Sequence, residues 1–247
     1  MDLPQELIDE IIGHIPQNKK SLRNCSLVTK SWVYPARRRI FRAVDVSGPK
    51  LLRLWLDEIP PTNVEILQHI RSLRYDIAEP VDPLRDYFPS LCQLERLILC
   101  SGFLPSLTQI GTYSAFRHTL SYLSLQYCSD TVSALVNFVN HFPNIAHLDL
   151  VDLRHMVDTQ PPPPFSRPLR KLTITSITNI DLIDQLLGPH SQYDEVDVGT
   201  HWGSSSVTQR IINGVGASVK RLNLKAKISG VSSIPKTVQW RCLNAIP

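Results

Sequence analysis

No stretch of eighteen apolar residues occurs in the 247, so no membrane-spanning helix is expected. Five cysteines stand at 25, 92, 100, 128 and 242, and none forms a CxxC pair. An odd count without pairing favours reduced thiols, hence a cytoplasmic and/or nuclear setting, over a disulfide framework. The front carries Asp2, Glu6, Asp9 and Glu10 but no basic opening, so no secretory leader is expected. Neither GxxxxGK[ST] nor GxGxxG occurs, which removes the commonest phosphate cradles. GxSxG is missing as well. Eight histidines form no HxxxH, so no metal site and no cofactor are expected. His201 and Ser204 flank Trp202-Gly203, but nothing nearby orients the histidine, and no catalytic residue is assigned.

The composition that remains, 43% apolar and 19% charged, is that of a globular chain. The formal charge is +4, and its placement is uneven. Residues 1–50 hold nine Lys/Arg against five Asp/Glu, while residues 51–247 hold seventeen of each. The larger part therefore has no overall field that would hold nucleic acid. Arg37-Arg38-Arg39 reads as a basic helix end facing water.

An apolar triplet at i, i+3, i+5 recurs through the chain. Its middle members are Val44, Leu73, Leu97, Leu123, Leu148, Leu172, Val196 and Leu222, spaced by 29, 24, 26, 25, 24, 24 and 26. The last two members, two residues apart, point to the same side of a strand. About 25 residues suffice for a strand and a return, so stacked units make a parallel sheet covered on one face. Helical returns are expected at Thr131–Phe142, Ile180–Leu187 (with Gly188 as a stop) and Ser204–Val215. The proline run 161–164 predicts an extended return. The fold class is therefore α/β.

The front reads as three short helices. The first carries Leu3, Leu7, Ile8, Ile11, Ile12 and Ile15 and ends at Pro16. The second runs from about Asn18 to Val28, and the third carries Trp32 and is expected to be short or kinked at Pro35. The apolar residues of the first helix wrap more of its surface than one inward stripe covers.

Two resemblances follow from these residues. The triplet pattern resembles the leucine-rich repeat, with "LSYLSLQYC" the best fit and Cys128 at its closing position. Gly102, Leu153, Ile177 and His201 occupy the other closing positions, so the repeats are irregular. The order Leu3-Pro4-Gln5-Glu6-Leu7, Ile15-Pro16, Leu27-Val28 with Trp32, and Phe41-Arg42-Ala43-Val44 resembles the F-box. Together they imply an F-box-like segment over 1–40, a leucine-rich-repeat-like solenoid over 41–227 and a capping tail over 228–247. They also imply a partner. F-box segments dock on the Skp-family adaptor of cullin–RING ubiquitin ligases. Here Leu3, Pro4, Leu7, Ile8, Ile11, Ile12, Leu27, Val28 and Trp32 would supply the contact, and the chain would be a non-catalytic substrate receptor. The alternative is a protein-binding repeat scaffold without a ligase, its front helices only capping the solenoid.

Residues alternating with the inward members face the open side of the sheet. Arg74, Arg96, Tyr122, Gln126, His147, Asp149, Lys171, Glu195, Asp197 and Arg221 form the expected target surface. Mixed charge and an aromatic suit a protein partner rather than nucleic acid or membrane.

Overall fold

The residues that recur along the sequence become register partners in space. The computed structural model describes residues 3–16, 18–76, 84–104, 109–153, 163, 165, 168–176, 180–187, 192–201, 219–227 and 236–241, with the backbone alone at 180, 181, 185, 200, 201, 225–227 and 236–241. Nine strands form one sheet in chain order. They are β1 (Ala43–Val46), β2 (Ser72–Asp76), β3 (Arg96–Gly102), β4 (Tyr122–Cys128), β5 (His147–Val151), β6 (Leu169–Thr175), β7 (Tyr193–His201), β8 (Val219–Lys227) and β9 (Lys236–Arg241). The first eight run parallel, and β9 pairs antiparallel with β8. Val44, Leu73, Leu97, Leu123, Leu148, Leu172, Val196 and Leu222 are successive partners across the parallel strands. All eight are buried.

Residues 49–58 and 64–67 form α4 (Pro49–Glu58) and α5 (Val64–Leu67) between β1 and β2. Gly48 has φ +88 before α4, a backbone that side chains resist, and its N–H donates to Asp76 Oδ2 at 2.7 Å. The next two returns contain 3-10 turns, Arg85–Ser90 and Ile110–Phe116. The returns expected to be helical at 131–142 and 180–187 are α6 (Val132–Asn140) and α7 (Ile180–Leu186). Thr131 caps α6 by accepting the Ala134 N–H at 3.0 Å. The expected helix at 204–215, Gly188, Ile177 and all of the proline run except Pro163 lie outside the described residues.

The core lies between the sheet and these returns. Every inward triplet member from Leu73 to Leu222 belongs to one apolar cluster. Its middle is aromatic: Phe88 and Tyr113 lie 4.7 Å apart, Phe116 stacks on Phe142 at 6.0 Å, and the Tyr75 and Tyr113 hydroxyls meet at 2.9 Å. The periodic pattern placed only Tyr75 of this patch, on β2, because the other rings sit in the returns. Cys128 is fully buried in the same cluster, and burial pushes its thiol up to about 12.

The front helices are α1 (Gln5–His14), α2 (Lys19–Cys25) and α3 (Lys30–Ile40). Ile15, pinned before Pro16, is extended and ends α1. Asn18 caps α2 through Lys20 N–H at 2.9 Å. Of the two expectations for Pro35, a short helix or a kinked one, the first does not hold: α3 continues past Pro35 to Ile40. One hydrogen bond is forfeited there, and burial of Pro35 and Ala36 offsets it. Ile8, Ile12, Leu22 and Ala36 form a second cluster, distinct from that of the sheet. No described helix is long and apolar enough to cross a membrane.

A regularity absent from the sequence reading marks the carboxyl ends of the strands. Ser101, Tyr127, Asp152 and Ser176 have φ of 52, 58, 49 and 57. Each follows the last inward triplet member (Leu99, Leu125, Leu150, Ile174) by two residues. Left-handed backbone there bends the end of each strand while neighbouring strands keep its N–H groups bonded, as in Ser176 N–H to Gly199 O at 3.0 Å.

Candidate functional site

Two surfaces carry the residues singled out above. The first is the outer side of α1. A helix repeats every 3.6 residues, so Leu7 and Ile11 share one face of α1, Ile8 and Ile12 share another, and Leu3 lies just ahead of the N-cap. The second face is spent on the three-helix core, with Ile8 and Ile12 at 2% and 1% exposure. Those two residues, expected to meet a partner, are therefore withdrawn from the contact. Trp32 is half-buried against the same core. Leu3, Leu7 and Ile11 stay 49%, 46% and 42% exposed, and Leu27 and Val28, in the turn after α2, reach 82% and 59%. Pro4, the N-cap of α1, is exposed beside them.

The second surface is the open side of the sheet, where register brings the expected residues into two rows. One row is Arg96, Tyr122, His147, Lys171, Glu195 and Arg221 on successive strands. The next is Asp45, Arg74, Ile98, Ser124, Asp149, Thr173, Asp197 and Asn223. Gln126 stands one step further along β4.

Most charges in these rows are answered within the molecule. Lys171 Nζ lies 2.7 Å from Asp197 Oδ2 and 2.9 Å from Glu195 Oε1, and Arg221 reaches Glu195 Oε2 at 3.0 Å. Asn223 Nδ2 donates to Asp197 Oδ1 at 2.6 Å and to Glu195 Oε1 at 3.1 Å. Asp197, expected on the surface, is consequently buried at 7% and serves to hold its neighbours. The hydrogen bond to Asp197 raises the Lys171 ammonium above its ordinary value.

In the middle of the sheet Asp149 accepts the Tyr122 hydroxyl at 3.2 Å and the Ser124 hydroxyl at 3.1 Å, and Gln126 donates to Ser124 at 3.0 Å. Burial, followed by the Asp149 charge, raises the Tyr122 phenol. Arg96 lies over the Tyr122 ring at 3.9 Å, and His147 meets that ring edge-on at 6.4 Å. On the β1 side, Arg74 sits among Asp45, Asp76 and Cys100. A hydrogen bond with Cys100 is the chief reason its guanidinium is raised. Burial nevertheless raises the Cys100 thiol, outweighing Arg74.

Sequence reasoning missed the bridging parts of Ser124 and Asn223, which depend on strand neighbours about 25 residues away. The arrangement is one of fixed dipoles and ion pairs with exposed ends at Arg96, His147 and Arg221. No group of three His, Cys, Asp or Glu side chains is placed to hold a metal ion among the described residues. Fold and surface together define an α/β protein built on eight parallel strands in chain order, with three helices at its front. No protein-family model matches the chain, and no curated protein does.

Proposed function

We propose that the chain is the substrate-recognition subunit of an SCF-type (Skp–cullin–F-box) ubiquitin ligase. In this reading α1–α3 are an F-box, and the strands and returns after them are an irregular leucine-rich-repeat solenoid. The Skp-family adaptor covers Leu3, Pro4, Leu7, Ile11, Leu27 and Val28, and Trp32 supports that surface from the core side. The target protein lies on the open sheet face from Arg74 to Arg221. The chain performs no chemistry itself; it brings the target to the cullin–RING enzyme in the cytoplasm or nucleus.

The observation that supports this reading is the split of α1. One apolar face fills a separate core, and the other remains wet although the sheet cluster is complete without it. Leu7 and Ile11 lie one turn apart on the exposed side of α1, and exposed apolar surface of this kind marks an interaction site. Covering each half-exposed Leu or Ile contributes roughly 1 kcal/mol before association costs.

Co-purification with a Skp-type adaptor tests the reading. Leu7→Asp and Ile11→Asp each place a charge in the middle of the contact, so capture is expected to weaken by about 30-fold or more. Both side chains are exposed, so circular dichroism is expected to be unchanged. Undiminished capture by both variants sinks the proposal. A chain that never captures the adaptor leaves the scaffold reading in its place.

A further inference from the structure

At the amino ends of β5 to β8 the sheet carries an open groove of about 640 Å³ on the rim rather than on either face. Its position follows from a third row of residues, one before each strand's first outward member. The row reads Arg71, Glu95, Ser121, Ala146, Arg170, Asp194, Lys220. At its ends opposite charges meet: Arg71 with Glu95 at 3.8 Å, and Lys220 with Asp194 at 2.6 Å. In the middle, Ser121 and Ala146 are too short to continue the pattern. The missing side chain at Ala146 opens the floor, and Pro143 and Pro168 border it.

The charges in the groove do not balance. Arg170 and Lys220 are its two cations, and Asp194 is the one carboxylate among its lining residues. Lys220 bonds Asp194 directly and Arg170 acts on it from the other side; together they hold its carboxyl below the usual range, Lys220 first. One positive charge is left over beside the gap at Ala146. The groove crosses four strands, three steps of about 4.8 Å, or roughly 14 Å, which is the length of about four extended residues.

We infer that this groove binds an extended acidic segment of a partner protein, a Glu or Asp carboxylate seating over Ala146 against Arg170. The segment runs across the strands, between flat proline walls that offer apolar contact without an ordering cost. The site is separate from α1 and from the open sheet face, and it stands whether or not the chain captures an adaptor.

The test uses the full chain, a capped tetraglutamate peptide, its tetraglutamine counterpart and inorganic phosphate, followed by amide chemical shifts and calorimetry. Tetraglutamate is expected to shift the Ala146, Arg170, Asp194 and Lys220 amides and to bind about tenfold more tightly than tetraglutamine. Arg170→Ala is expected to lose about tenfold, Arg170→Lys to retain most of the binding, and Ala146→Glu to block it by supplying the anion internally. Lys50→Met, exposed on α4 and away from the groove, is expected to leave it unchanged. Arg170 is exposed, so these variants keep the native spectrum elsewhere. Shifts confined to the open face, equal binding by Arg170→Ala, or phosphate binding as tightly as the peptide would each overturn the inference.

Discussion

At the scale of single residues, burial decides which charges are structural. Lys171 answers Asp197 at 2.7 Å, and removing it takes the cation from a nearly buried carboxylate that Asn223 also serves. Lys171→Met is therefore expected to lower unfolding free energy by about 1–2 kcal/mol, measured by urea titration at pH 7. The folded ammonium is raised above its ordinary 10.5, so its contribution is full below that pH and lost as pH rises through the folded value. His69 works in the opposite sense. It is 8% exposed, edge-on to Tyr34 of α3 at 5.2 Å, and its pKa is lowered. Burial is the main cause, Arg38 and Arg71 add to it, and Glu65 opposes them. A lowered folded value means the unfolded chain takes up the proton first. The stability it contributes is present above 6.5 and lost as pH falls below it. His69→Phe is expected to flatten the drop in urea midpoint between pH 7 and 5; an unchanged slope assigns the drop elsewhere.

At the scale of elements, the expected parts that depend on local pattern were legible. The inward triplets of eight strands and the helices at 132–140 and 180–186 follow from spacing and caps alone. Two features were not. Pro35 left open a short or a kinked third helix, and α3 runs through it to Ile40, since a side chain's packing partners are not written beside it. The left-handed exits at Ser101, Tyr127, Asp152 and Ser176 carry no glycine to announce them; the demand comes from the neighbouring strand, which holds the turn's N–H groups. Left-handed backbone costs an ordinary residue about 1–2 kcal/mol. Ser101 is exposed, so its side chain adds little else. Ser101→Gly is expected to raise stability by up to about 1 kcal/mol and Ser101→Val to lower it by at least as much, read from denaturation midpoints. Identical midpoints would show that the turn is not held in this conformation.

At the scale of the molecule, two apolar clusters predict two responses to core damage. Leu123, fully buried at the centre of the sheet, belongs to the large one, and Leu22, at 1%, to the small one. Each change to Ala is expected to cost about 2–5 kcal/mol. Leu123→Ala should speed hydrogen exchange across β3 to β5, whereas Leu22→Ala should speed it in α1–α3 and leave β4 protected. Loss of protection in β4 by Leu22→Ala would show one cooperative unit instead.

The candidate surfaces divide along the same line. Which residues face the open side of the sheet was readable, because strand alternation is a property of consecutive residues. That Asp197 is consumed by Lys171 and Asn223 while Arg96 keeps an exposed charge was not, because those partners meet only after strands 24 to 26 residues apart in sequence are set side by side. Likewise the sequence determined that the apolar residues of α1 wrap more of the helix than one inward stripe covers. Only the packing of α2 and α3 decided that Ile8 and Ile12 are enclosed and Leu3, Leu7 and Ile11 remain wet. A helix's periodicity fixes which side chains share a face, and nothing in it fixes which face a neighbour will cover.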